Sequence, residues 1–343
     1  MDVLTDALAA MRVGHTRSAR TEVRAPWGLR FPAVGGTTFH ALLRGSCWIL
    51  PPDGDPVPME PGDVVFLRHG STVSLADDPA SPLRDFRPGR WRPGQLIGRV
   101  DVDGPGERSL LICGAYQLGR SRPHPLLAAL PEVLHLRAGE GPGLAATVAL
   151  LGEELEQGRP GQDGVVPALV DAMLLLILRA WIDRGAAEPG AGNGPGAGNG
   201  PGAGNGPGAG NGPGAGNRNG NGPGAGSAAG WPGALTDAAV GSALLGLHED
   251  PARAWTVAEL GARAGLSRSA FAQRFTALVG EPPLAYLTWW RMTLAGRLLR
   301  ESDAPLSAVA QRVGYSSEFA FAKAFKREYG IAPGRYRREP ESV

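Results

Sequence analysis

The sequence predicts a multidomain protein, with an all-β barrel and appended helices followed by an all-α domain of two helix-turn-helix units. Three observations predict this. Short apolar runs separated by Pro/Gly turns fill residues 20–120, a Gly-dominated block fills 185–230, and one phrase is written twice. That phrase is "AFAQRF" at Ala270–Phe275 and "AFAKAF" at Ala320–Phe325. At 343 residues the chain is long enough for more than one buried core.

The N-terminal texture is that of short strands. "CWIL" at Cys47–Leu50, "VPM", "VVFL" at Val64–Leu67 and "SLLICGAY" at Ser109–Tyr116 are apolar runs bounded by turns such as "PPDGDP" and "EPGD". From about Gly143 the texture turns helical. Leu144–Gln157 forms one helix and Val165–Asp183 a stronger one, with Leu169, Ala172, Met173, Leu176, Ile177 and Ala180 on one face. Leu174, Leu175 and Leu178 leave it little polar surface, which suits either a core or a subunit interface.

Ala191–Gly214 is four copies of AGNGPG. So few apolar side chains cannot offset the entropy of ordering the backbone. Glycine does not follow a three-residue period, which excludes collagen. The block reads as a flexible tether. The chain therefore divides into a barrel (1–140), helices suited to dimerisation (141–184), a tether (185–230) and a C-terminal domain (231–343).

Aligned on itself, the C-terminal part repeats element by element. Val257, Leu260 and Ala264 form the buried stripe of a short helix, and Leu306, Val309 and Val313 reproduce it. Gly265 and Gly314 follow where each helix must stop. Ser267 and Ser317 then suit the N-cap of a second helix. Phe271 and Phe275, like Phe321 and Phe325, lie one turn apart, and Gly280, Pro283 and Tyr286 match Gly330, Pro333 and Tyr336. Each unit is a helix-turn-helix. Between them Leu284–Leu299 reads as one helix with Leu284, Leu287, Arg291, Leu294 and Leu298 on one side. It is a strut of about 24 Å, against about 34 Å between major grooves on one face of B-DNA.

Such a pair of units points to duplex DNA. Opposite the Phe pairs the helices present Ser269, Gln273 and Thr276 in the first unit, and Phe319, Lys323 and Lys326 in the second. Gln can pair with adenine, Lys with guanine, and Phe can contact thymine methyls. Arg268, Arg274 and Arg327 flank these faces as phosphate contacts, Glu318 could accept from a cytosine amino group, and Ser267 and Ser317 complete the interface. Charge agrees. Residues 231–343 hold 14 Lys and Arg against 11 Asp and Glu, and residues 1–184 hold 19 against 21. Lys323–Arg338 alone carries six cations and one acid.

"WTVAELGARAGLSRSAFAQRFTALVGEPPLAYL" and "PLSAVAQRVGYSSEFAFAKAFKREYGIAPGRYRR" resemble the AraC/XylS-type transcriptional regulators over Leu235–Arg338. The resemblance implies a bacterial factor that binds double-stranded promoter DNA, with RNA polymerase as a further partner. "FHALLRGSCWIL", "MEPGDVVFLRHG", "LADDP" and "LLICGAYQLGRSRPHPLLAALPEVLHL" are similar to the cupin-type sensor domain of one branch of that family. That implies a barrel sensing a small molecule or oxidant, and helices that form a homodimer. Cupin enzymes carry a two-His-plus-acid metal cluster. Here His40 stands alone on its strand, and Val73 occupies a place where related domains often have His, so neither metal nor cofactor is expected.

Cys47 and Cys113 are too few for a disulfide framework. With His40 they are candidate sensing residues, as buried apolar side chains or as a thiol switch. His69, His124 and His135 read as ordinary histidines that could at most help a ligand site. No GxSxG, P-loop or HExxH motif appears. No signal peptide is recognised, and Val165–Trp181, with Pro167, Asp171 and Arg179, falls short of a membrane span. The expectation is a cytoplasmic, non-enzymatic regulator. The competing classes are a cupin dioxygenase or isomerase fused to a DNA-targeting module, and an architectural DNA-binding protein.

Overall fold

Short alternating strands must pair to satisfy their backbone groups, and in a computed structural model of the protein they do so as two facing sheets. The structure describes residues 2–11, 16–33, 36–68, 71–87, 97–117, 124–187 and 230–338. His69 and the tether over 188–229 lie outside the described residues.

After helix α1 (Val3–Met11) come β1 (Arg17–Arg24), β2 (Gly28–Phe31), β3 (Gly36–Arg44), β4 (Cys47–Leu50), β5 (Val57–Met59) and β6 (Val64–Leu67). Next are β7 (Val73–Ala76), β8 (Arg84–Asp85), β9 (Ile97–Val102), β10 (Arg108–Gln117), α2 (Pro125–Ala128) and β11 (Val133–Leu136). One sheet runs β11-β6-β3-β10-β1-β9 and the other β5-β4-β7-β2-β8. Their facing sides share a core that includes Leu42, Val65, Leu111 and Cys113 from the first sheet. Phe31, Cys47, Ile49 and Leu75 answer from the second.

β3 explains why "FHALL" is apolar without alternation. Its His40 and Leu42 point between the sheets, and Phe39, Ala41 and Leu43 point away. The outward set is covered by α3 (Pro142–Gln157) and α4 (Gln162–Ala187). Tyr116 ties β10 to α4 by donating to the Val170 carbonyl at 2.7 Å. α4 runs past the expected helix at both ends and into the first residues assigned to the tether. At this length it is long and apolar enough to cross a membrane, which the shorter sequence-based helix was not. Its Val166, Val170, Met173, Leu174, Ile177 and Leu178 are nevertheless buried against protein.

The C-terminal domain comprises α5 (Gly230–Thr236), α6 (Ala238–Glu249), α7 (Val257–Arg263), α8 (Arg268–Val279), α9 (Pro283–Glu301), α10 (Leu306–Arg312), α11 (Glu318–Tyr329) and α12 (Pro333–Arg338). The internal repeat folds in register. Ser267 caps α8 by accepting from the Ala270 amide, and Ser317 caps α11 by accepting from Ala320. Gly314 turns between α10 and α11 at φ +81°, and a Cβ there would lie 2.6 Å from the Ala252 carbonyl oxygen, so only glycine fits. Phe271, Phe275, Phe321 and Phe325 are all fully buried.

α9 departs from the expected stripe. Leu284 is exposed, and Arg291 donates instead to the Pro251 and Arg253 carbonyls at 2.6 and 2.8 Å. The buried surface is wider. Tyr286, Leu287, Trp289 and Trp290 enter the core of the first unit, while Met292, Ala295 and Leu299 enter that of the second. At 19 residues it is about 28 Å long.

The tether is not the only link between the halves. α1 packs on α6 and α9, and α4 packs on α5. The core behind the six-stranded sheet runs without a break into the first unit through Trp231, Leu244 and Trp289. A flexible tether alone would leave the halves to move independently; instead large apolar side chains of both are buried in one cluster.

Phe275→Ala and Phe325→Ala should each cost about 3–5 kcal/mol in urea unfolding, since each empties a sealed core site. Phe319→Ala should stay within about 0.5 kcal/mol.

Candidate nucleic-acid interface and sensor interior

The same helical period that buries the Phe pairs turns a second face of α8 and α11 outward. On α8, Arg268, Ser269 and Gln273 are exposed and Thr276 is half-buried. On α11, Glu318, Phe319, Lys323, Lys326 and Arg327 are all exposed, and Phe319 leaves 80 % of its surface to solvent. Lys323, Lys326 and Arg327 form no ion pair among the described residues. The second unit thus presents an unshielded basic face with an aromatic ring at its leading end, while the first presents a polar one with Arg268 at its start.

Arg274 requires a correction. Its Nε donates to the Asp237 carboxylate at 2.7 Å, and Asp237 also caps α6 by accepting from the Ala239 and Val240 amides. The arginine holds Asp237 below the ordinary carboxylate range, against the opposing effect of burial. Its guanidinium is therefore committed to bracing α8 on α6. Ser267 and Ser317 likewise spend their acceptor oxygens on caps, at 3.2 and 3.4 Å.

Between the sheets, His40 sits opposite Cys113 in the β3–β10 register and against the Phe31 ring, with centroids 4.1 Å apart. It is buried, neither ring nitrogen has a hydrogen-bond partner, and burial pushes its pKa down to about 3. The Trp27 indole N–H, in the same inter-sheet core, is also buried without a partner. Cys113 lies 3.7 Å from the Thr21 hydroxyl, and Cys47 Sγ lies 3.8 Å from Met59 Sδ. Burial pushes both thiols up to about 12, so neither carries thiolate at neutral pH, the form that reacts with oxidants. In this closed arrangement the pair is poorly placed to act as a thiol switch.

Two other histidines among the described residues hold local structure. His135 Nε2 lies 2.9 Å from Asp63, which also accepts from the Glu60 and Ala138 amides and so fixes the turn before β6. His124 caps α2. Among the described residues no group of three or more His, Cys, Asp and Glu side chains gathers to hold a metal ion. Sequence reading missed that Tyr286 meets both His124 and His248, because nothing in the spacing pairs His124 with a residue 162 positions away.

Native protein should show no rapidly reacting thiol towards a disulfide reagent at pH 8, and both cysteines should react once urea unfolds the sheets. A fast native reaction would show that the interior opens.

Residues 2–183 match a family model described as Cupin, and residues 260–339 one described as a helix-turn-helix domain. An AraC-like transcription regulator of Streptomyces antibioticus is 35 % identical, with 99 % of each chain covered. The RCS-specific transcriptional activator RclR of Escherichia coli is 27 % identical over 87 % of this chain and 83 % of its own. Among solved structures, the DNA-binding domain of AdpA in complex with a target DNA is 34 % identical. It covers 30 % of this chain and 96 % of its own, with a TM-score of 0.28. With a cupin domain ahead of paired helix-turn-helix units and full-length likeness to such regulators, the chain belongs to the AraC-like transcription regulators.

Proposed function

We propose that α8 and α11 enter neighbouring major-groove segments of a promoter while α9 sets their separation. The observation that carries this reading is α11. Its Phe321 and Phe325 side is sealed, while Phe319, Lys323 and Lys326 stand together in solvent. An aromatic ring so exposed beside unpaired cations is costly on a solvated surface and useful against thymine methyls and phosphates. Lys323 and Lys326 read or steady guanine-bearing positions, Gln273 reads adenine, and Ser269, Thr276 and Glu318 border them. Arg268 and Arg327 contact phosphate.

The domains act as the sequence divides them: 1–140 senses, 141–184 self-associates, 185–230 tethers and 231–343 binds DNA in the cytoplasm, where RNA polymerase is the further partner. Exposed Leu150 on α3 and Val165 on α4 support a homodimer contact on that hairpin. The signal is read between the sheets, where His40 offers two unpaired ring nitrogens inside an apolar core. A small molecule supplying a polar atom there would relieve a buried polar group left without a partner. An oxidant would have to open the sheets first to reach Cys113 or Cys47. The chain acts as a regulator and not as an enzyme; its relatives carry regulator names, and β7 begins with Val73 rather than a histidine.

Lys323→Ala and Gln273→Ala should each weaken operator binding by about 1–3 kcal/mol, with altered base preference in different halves of the site. Fluorescence anisotropy against operator DNA selected from genomic fragments checks this. Affinity should also fall steeply as salt rises. Wild-type binding by both variants would remove these faces from the duplex.

A further inference from the structure

The two halves meet at a buried cluster of two histidines and a tyrosine. Tyr286 on α9 is fully buried, and its hydroxyl lies 3.3 Å from His124 Nε2 of the sensor half and 2.7 Å from His248 Nε2 of α6. Trp231, Trp289 and Trp290 pack around the three rings.

The hydrogen-bond directions follow from one contact. His124 Nδ1 accepts from the Leu126 amide at 2.9 Å, so in the neutral ring the proton is on Nε2. That N–H donates to the Tyr286 oxygen, and the tyrosine hydroxyl is left to donate to His248 Nε2. His248 then carries its proton on Nδ1, which points at Asp6 of α1, 3.8 Å away and itself without a hydrogen-bond partner. The chain of donors runs from the sensor half into the DNA-binding half and ends at His248, whose Nδ1 stops short of a hydrogen bond to Asp6 Oδ2. It has a place for two neutral imidazoles and none for an added proton on either.

We propose that His124, Tyr286 and His248 form a clasp that holds the sensor domain on the first helix-turn-helix unit and opens on acidification. A proton on His248 Nε2 would leave the Tyr286 hydroxyl facing two donors, and one on His124 Nδ1 would collide with the Leu126 amide and break the α2 cap. The groups facing the clasp are Asp2 and Asp6 of α1, Glu249 at the end of α6, Glu281 ahead of α9, and Arg297 of α9. Asp2 favours protonated His248, yet burial outweighs it and pushes His248 down to about 3, and His124 also lies well below its ordinary value. Groups with docked values depressed below about 6.5 contribute fully above that pH, and their contribution is lost as pH falls towards the docked values. Each histidine freed on undocking weakens docking about tenfold between pH 7.5 and 5.5, and the pair about 100-fold.

The test uses the full chain without DNA, so it can fail independently of the reading of promoter DNA. Small-angle scattering from pH 7.5 to 5.5 should show the radius of gyration rising while far-ultraviolet circular dichroism keeps its helical signal. His124→Asn, which retains a capping side chain, should expand with about half the logarithmic pH dependence. Tyr286→Phe should be more open already at pH 7.5. A constant radius in the wild type would overturn the proposal, as would expansion only alongside loss of helix, or a His124→Asn titration identical to wild type.

Discussion

Burial of α9 along its whole length is the constraint on which the C-terminal half depends. Its first turns plug the unit formed by α7 and α8, and its last turns plug the unit formed by α10 and α11. Interiors at crystal-like density do not deform continuously, so neither α8 nor α11 can tilt without opening a core on α9. The helix is thus more than a spacer of suitable length. It makes the two outward faces one rigid surface, so that under the proposed reading two groove contacts would act as one.

The same rigidity separates two kinds of polar group. Those at the ends of elements are satisfied locally, as where Ser267, Ser317 and Asp237 take up helix N–H groups. Others, among them His40 and Trp27 between the sheets and Asp6 Oδ2 at the domain junction, have buried polar atoms without a hydrogen-bond partner. Buried polar atoms without partners weaken a domain, and their position away from the caps marks where a ligand, a proton or a shift of the neighbouring domain would have the largest effect.

Much of the C-terminal domain was legible because the chain repeats its own solution. Glycine stops, serine caps and paired phenylalanines recur in register, and local chemistry suffices to place them. The strands "CWIL", "VPM", "VVFL" and "SLLICGAY" were legible for the same local reason. What local pattern could not supply was every contact made across distance. Arg274 looked free because Asp237 is 37 positions away, and the α9 stripe looked leucine-based because two cores claim different faces of one helix. The α1 helix, only nine residues long, drew no notice although it packs on both α6 and α9.

The repeat is also informative where it fails. Tyr336 is the second unit's counterpart of Tyr286, and its hydroxyl is engaged by Arg300 from within the same unit. Tyr286 has no such arginine; its hydroxyl is taken by a histidine of its own domain and one of the sensor half. The two units share one helix-turn-helix frame, and they differ in what meets this buried tyrosine hydroxyl. A signal that alters how the sensor half sits would therefore be felt first at α9 beside α8. It would reach the basic face of α11 only because α9 cannot bend.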